Sequence, residues 1–393
     1  MRAKLLLPLL LVCICGVVVS FSERAHALNQ VRFCVNLTNR FTDNLADQDQ
    51  LVASQLPANK HWAVVKRNGV TVGTPAYMAG NCTPFTTIDP GSYTLWLASA
   101  VQVAANKFVF AYADDSQEWL WNGFTIQVAT NPTGDTTVPV LFAGDAWFAA
   151  SLVGSVMGGA ELVNHTYKIF ATQECPGQPG NSCHDFDTGV YLAPGHSAIK
   201  SIIGHELGHA VETHLWGGWT YNYNQVVNEP LCRCDHVTGV NDLHCLQSRE
   251  QDGAARNEGW AHFYASRLFN TASHATAPFG YYKQVLVPPG NIPQDVRQPP
   301  YNIDALAIYK WVERQCLQAN ANSELDWMSF LYYLNTKTAN AYSYASLKTV
   351  FEVAGQSNHS WAKLRGAAEF VYGIGSAKTQ HLIQTGDSRG VDH

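Results

Sequence analysis

The chain has 393 residues, of which 46% are apolar and 14% charged, with 25 basic and 31 acidic side chains and a net charge of −6 at pH 7. That balance belongs to a folded globular chain and excludes a largely disordered one. The length suffices for two domains of ordinary size, and the charges form no basic stripe that could track a phosphate backbone, so nucleic acid is not an expected partner.

From the N-terminus, Arg2 and Lys4 precede an almost wholly apolar run over residues 5–20, and Ala25-His26-Ala27 follows as a small-x-small cleavage pattern. This reads as a signal peptide over 1–27, cut after Ala27, which predicts a secreted, extracellular chain with no membrane association once cleaved. The run is short for a bilayer span, and no later segment is long and apolar enough for one. Cys13 and Cys15 leave with the signal, so Cys34, Cys82, Cys175, Cys183, Cys232, Cys234, Cys245 and Cys316 remain. An even set in an exported chain predicts disulfides. The expected local pairs are Cys34 with Cys82 and Cys175 with Cys183, the second closing a Pro/Gly-rich loop.

Between Val31 and about Val140, short β-rich runs alternate with turn signals. Strands are expected over 31–38, 61–66, 70–72, 85–88, 92–97, 108–113 and 124–130, with Asn68-Gly69 as a hairpin turn and Asp89-Pro90-Gly91 as a second turn. An N-terminal antiparallel β-sandwich over 28–142 follows, read as an accessory module, an adhesion or carbohydrate-binding unit, or a pro-domain. After the linker-like Asn131-Pro132-Thr133-Gly134-Asp135, the periodicity turns helical. Helices are expected over 147–157, 198–216, 254–269, 304–318, 324–335, 344–354 and 361–372, with strand-like runs at 167–172 and 189–192 making a small sheet. The class is therefore α+β, with a mainly helical second domain over 143–393.

The chemistry concentrates in His205-Glu206-Leu207-Gly208-His209. On a helix, residues four apart lie about 40° from one another, so both imidazoles face one point and can share a metal ion. Glu206, about 100° further round, is set beside the ion as a proton acceptor and not as a ligand. Such spacing suits zinc, whose catalytic sites take three protein ligands and keep a fourth position for water. The bland alternative is a histidine-rich surface helix with no metal.

A second motif, Asn257-Glu258-Gly259-Trp260-Ala261-His262, lies on the helix expected from Ala254. With it, the stretch from about 190 to 270 resembles the gluzincin metallopeptidases, the thermolysin-like zinc enzymes in which a later helix supplies a glutamate ligand. The resemblance implies a zincin-like catalytic domain and one catalytic Zn2+ held by His205, His209 and Glu258, with Glu206 as the catalytic base. It also implies a substrate backbone lying along an edge strand at Val190, Tyr191, Leu192 and Ala193. One position departs from the thermolysin pattern. Where that pattern has an aspartate orienting a ligand histidine, this chain has His262, which can be such an outer partner of a ligand or itself the third ligand.

The metzincin continuation is absent, because Glu212 and Leu215 occupy its glycine and histidine positions and His214 should point away from the metal. The cluster Cys232-Arg233-Cys234-Asp235-His236 with His244-Cys245 resembles a structural zinc site, but export favours disulfides there. The expected function is that of a secreted zinc-dependent endopeptidase acting on peptide or protein substrates, with Tyr281, Tyr282, Tyr301 or His262 as the oxyanion stabiliser. The alternative is an exported adhesion or glycan-binding protein with a non-catalytic zinc site. Sequons at Asn36, Asn81, Asn164 and Asn358 suit a glycosylated surface.

Overall fold

The structure, a computed structural model, describes residues 29–37, 62–78, 82–98, 100–104, 107–112, 120–128, 136–142, 167–170, 173–185, 189–196, 199–215, 250–269, 321–336, 339–355 and 360–391. Within them the chain is α+β, strand-rich at first and helical after residue 200. The expected signal peptide, the helices at 147–157 and 304–318 and the cysteine cluster at 232–245 lie outside the described residues.

The β-rich part contains β1 (Asn29–Leu37), β2 (Trp62–Arg67), β3 (Val70–Tyr77), β4 (Thr86–Ile88) and β5 (Gly91–Ala98). It continues with β6 (Ala100–Ala104), β7 (Lys107–Tyr112), β8 (Leu120–Val128) and β9 (Thr136–Phe142). An antiparallel sheet runs in the order β3-β2-β5-β8. Its β2–β3 turn is built on Asn68 and Gly69 at φ 50° and 79°, the paired positive dihedrals that match strand twist in a two-residue hairpin. The second sheet, β4-β1-β9, departs from the antiparallel expectation, because β1 and β9 run parallel from Val31 opposite Thr136 to Leu37 opposite Phe142. Alternating hydrophobicity marks a strand without naming its partner or direction. Cys34 and Cys82 are disulfide-bonded as expected, tying β1 to the approach of β4, and Phe33 N donates to Thr83 Oγ1 at 3.0 Å beside the bond.

A five-stranded sheet joins segments on both sides of the boundary expected at 142/143. Its order is β11-β12-β10-β7-β6, where β10 is Tyr167–Phe170, β11 is Cys183–Asp185 and β12 is Gly189–Tyr191. β7, β10 and β12 are parallel to one another, while β6 and β11 run antiparallel on the two flanks. Cys175 and Cys183 form the second expected disulfide, which anchors the first residue of β11.

The helices are α1 (Lys200–Leu215), α2 (Asp252–Phe269), α3 (Glu324–Thr336), α4 (Tyr344–Ala354), α5 (Trp361–Tyr372) and α6 (Ala377–Arg389). Two short strands, β13 (Glu250–Gln251) and β14 (Ala321–Asn322), pair just before α2 and α3 and start those helices side by side. α2 lies between α1 and α3. Among α3 side chains, Leu325, Trp327, Met328, Phe330, Leu331 and Leu334 are fully buried, as befits a central helix apolar around most of its circumference. α6 has no counterpart among the expected helices. It buries Thr379, His381, Thr385 and Arg389 beside Leu382, so its inward face carries no apolar stripe to read.

Two glycines let these helices approach. A Cβ on Gly208 would stand 2.7 Å from Ala261 Cα, and one on Gly259 would stand 2.4 Å from Trp327 Cβ. Trp260 Nε1 donates to Gly208 O at 3.1 Å across the first contact. Gly259→Ala is therefore expected to destabilise the protein by about 1–3 kcal/mol through overpacking. Denaturant unfolding measures this, and an unchanged midpoint would show that α2 and α3 can separate freely.

Candidate metal centre

α1 buries Ile203, Leu207, Ala210 and Val211, which fixes its rotation and leaves His205 and His209, one turn apart, facing α2. Glu258 meets them from α2 and is itself buried, 4% exposed. Its Oε2 lies 3.0 Å from His205 Nε2 and 3.3 Å from His209 Nε2, and the two Nε2 atoms are 3.1 Å apart. Donors bound at 2.0–2.1 Å around a tetrahedral ion stand about 3.3 Å from one another, so the set fits such an ion. The donor chemistry points the same way. Two ring nitrogens and a carboxylate oxygen converge, and a cation can accept all three lone pairs at once. His205, His209 and Glu258 thus form a group that could hold a metal ion. The histidine side chains are 17% and 15% exposed and that of Glu258 is 5%, so the opening lies on the histidine side.

The outward ring nitrogens have partners. His209 Nδ1 lies 3.3 Å from the Asn257 amide, which a half-turn presents as an oxygen acceptor for Nδ1–H. His205 Nδ1 lies 3.1 Å from His262 Nδ1, and His262 Nε2 lies 3.0 Å from Glu324 Oε2. His262 therefore stands behind His205. With both ring nitrogens engaged, it does not offer an N–H to an oxyanion. Glu258, His262 and Glu324 make a second buried group that could hold a metal ion.

Charge around the site is strongly coupled. Burial opposes a positive charge on His209, but the carboxylates of Glu258, Glu206 and Glu212 outweigh it and push the imidazole up to about 9. Burial and the neighbouring His205 hold His262 down at about 4 against the pull of Glu324. Behind the site, Arg256 on α2 and Glu212 on α1 form an ion pair at 3.0 Å with both side chains only 2% exposed. This position in the metzincin pattern is a glycine; here its carboxylate clamps the two ligand helices. His214 packs edge-on against Tyr167, with ring centroids 5.5 Å apart, in accord with the expectation that it turns away from the metal.

The sequence did not reveal Asn257 as a partner of His209, Glu324 as a partner of His262, or Glu212 as a partner of Arg256. Ser323-Glu324-Leu325-Asp326 was legible as a helix start, with Ser323 Oγ accepting from Asp326 N at 3.2 Å, but nothing local tied it to His262. The expected substrate edge requires correction. Val190 and Tyr191 lie on β12, which pairs with β10 on one side and β11 on the other. Leu192 N donates to Phe170 O and Ala193 N to Ser182 Oγ. Among the described strands, β11 is the outer one on that flank, and it packs against α1. A three-residue run with Cys, His and Asp carried no strand signal of its own. Tyr281, Tyr282 and Tyr301 lie outside the described residues.

No protein-family model matches the chain, and no curated protein matches it.

Two outcomes are expected. Arg256→Met should cost about 3–5 kcal/mol, because it leaves the Glu212 carboxylate buried without its counter-charge; a thermal or denaturant melt measures this. In the metal-free protein His209 is raised to about 9, so it is protonated at neutral pH and a binding cation must displace that proton. Apparent metal affinity should thus rise about tenfold per pH unit between pH 7 and 8.5, as read by chelator competition. A flat profile would mean that His209 is already neutral.

Proposed function

We propose that the chain is an exported zinc-dependent endopeptidase of the gluzincin type. The observation that carries this reading is the convergence of His205 Nε2, His209 Nε2 and Glu258 Oε2 within 3.0–3.3 Å of one another, with Glu206 next in sequence to one of them. The N, N, O donor set and its spacing suit zinc better than harder ions such as magnesium or calcium, which prefer all-oxygen shells. On this reading α1, α2 and the five-stranded sheet form a zincin-like core, and the three- and four-stranded sheets are the leaves of an accessory β-sandwich. The two disulfides suit an oxidising compartment, and among the described residues no helix is long and apolar enough to cross a membrane.

Bound zinc would supply Lewis-acid polarisation of the scissile carbonyl and of water beside it. The protein's own groups do the rest. Glu206 takes the proton of the attacking water as the C–O bond forms, then returns it to the amine as the C–N bond breaks. Asn257 and His262 fix the outward nitrogens of the two histidines, so their Nε2 lone pairs stay directed inward. β11 offers an outer strand edge beside α1, and an extended peptide can add to such an edge by main-chain hydrogen bonds. That edge is why a peptide, and not a small ester, is the substrate class proposed.

Metal analysis of purified protein is expected to return one zinc per chain. Glu206→Gln should keep that zinc while peptide hydrolysis falls by about 10²–10⁴-fold, the usual range for a lost general base. Hydrolysis of an unstructured protein substrate, followed with and without chelator, checks both points. Zinc without hydrolysis in the native protein would favour the non-catalytic binding protein.

A further inference from the structure

We infer that Glu324 and His262 are positioning residues that act as a directed two-imidazole relay, setting the tautomer of His205 and restricting the centre to a single ion. The inference rests on the metal reading above and concerns what lies behind the ligand.

A neutral imidazole has one N–H and one lone pair. If His205 gives its Nε2 lone pair to the ion, its proton is on Nδ1. The atom 3.1 Å from that Nδ1 is His262 Nδ1, which must then be the acceptor. The proton of His262 is consequently on Nε2, and the atom facing it at 3.0 Å is Glu324 Oε2. Every donor meets an acceptor, and the sequence of bonds ends on a carboxylate. Glu324 is only 1% exposed, in the first turn of α3, where the helix dipole favours its negative charge. The thermolysin-like pattern sets a carboxylate directly behind its histidine. Here an imidazole occupies that place on α2, and the carboxylate comes from another helix through it.

The same proton count decides between the relay and a second ion held by Glu258, His262 and Glu324. An ion on His262 Nε2 would put the His262 proton on Nδ1. With His205 also ligating through Nε2, both Nδ1 atoms would carry hydrogens and face each other at 3.1 Å. Neutral imidazoles cannot satisfy both arrangements together, so occupancy of the first group excludes an ion on His262 Nε2, the nitrogen that faces Glu324. Glu324 thereby serves as an acceptor for His262 and not as a ligand.

The test uses the full protein loaded with zinc. Nitrogen-15 NMR of the histidines should find His205 protonated at Nδ1 and His262 protonated at Nε2, and metal analysis should find one ion per chain. Glu324→Leu should raise the zinc dissociation constant by about 10–100-fold. Glu324→Gln, whose amide oxygen still accepts, should raise it less. Circular dichroism melts of the metal-free variants separate lost ligand positioning from lost folding, and the tautomer measurement needs no variant. His262 protonated at Nδ1, two ions per chain, or wild-type affinity in a folded Glu324→Leu would each overturn the relay while leaving the first metal group standing. Absence of any bound zinc in the native protein would remove the metal reading and the relay together.

Discussion

The centre depends on how closely α1 and α2 pack. His205, His209 and Glu258 bring their polar atoms within 3.0–3.3 Å of one another across an interface where the two backbones come close together. Gly208 makes that contact possible, since a Cβ there would collide with the Ala261 backbone. Trp260 Nε1, donating to Gly208 O, and the buried Arg256–Glu212 pair add two polar contacts across the same interface. The pair contributes less by net stability than by register, because both charges are desolvated and neither tolerates losing the other.

α2 has neighbours on both sides, and this makes it the organising element. Towards α1 it presents Glu258, and towards α3 it presents Gly259 and His262. The approach of α3 is permitted by Gly259, and it brings Glu324 to His262. The short β13–β14 pairing begins both helices at the same level, and the Ser323 cap sets the first turn of α3 there. Packing, capping and ligand orientation are thus one arrangement. A change in helix spacing would reach the metal group through either face of α2.

The electrostatics of this arrangement match a site built for a cation. Glu258, Glu206 and Glu212 all raise His209, and Arg256 pairs with one of them, Glu212. A proton on His209 is the answer of the metal-free protein to that negative field, and a divalent ion answers it more completely. Burial keeps His262 neutral even with Glu324 in contact, which is the state a proton-ordered connection between two imidazoles requires.

Much of this was legible in the sequence because it is local. The i, i+4 histidines with a glutamate between them state their own geometry on any helix, and strand alternation, the Asn68-Gly69 turn and the spans of α4 and α5 follow from period and propensity over a few residues. The Cys175–Cys183 disulfide was readable from a separation of eight residues across a Pro/Gly-rich loop. Tertiary structure alone decided what depends on distant segments meeting. β7 joins β10 across the expected domain boundary, β1 lies parallel to β9, and β11 takes the sheet edge from β12, because pairing partners leave no mark on a strand's own pattern. Glu324 stands 62 residues beyond His262, with 3.0 Å between their polar atoms. A carboxylate at a helix start reads as an ordinary first-turn residue until the fold sets an imidazole against it, since hydrogen bonds act over ångströms and the chain records only order.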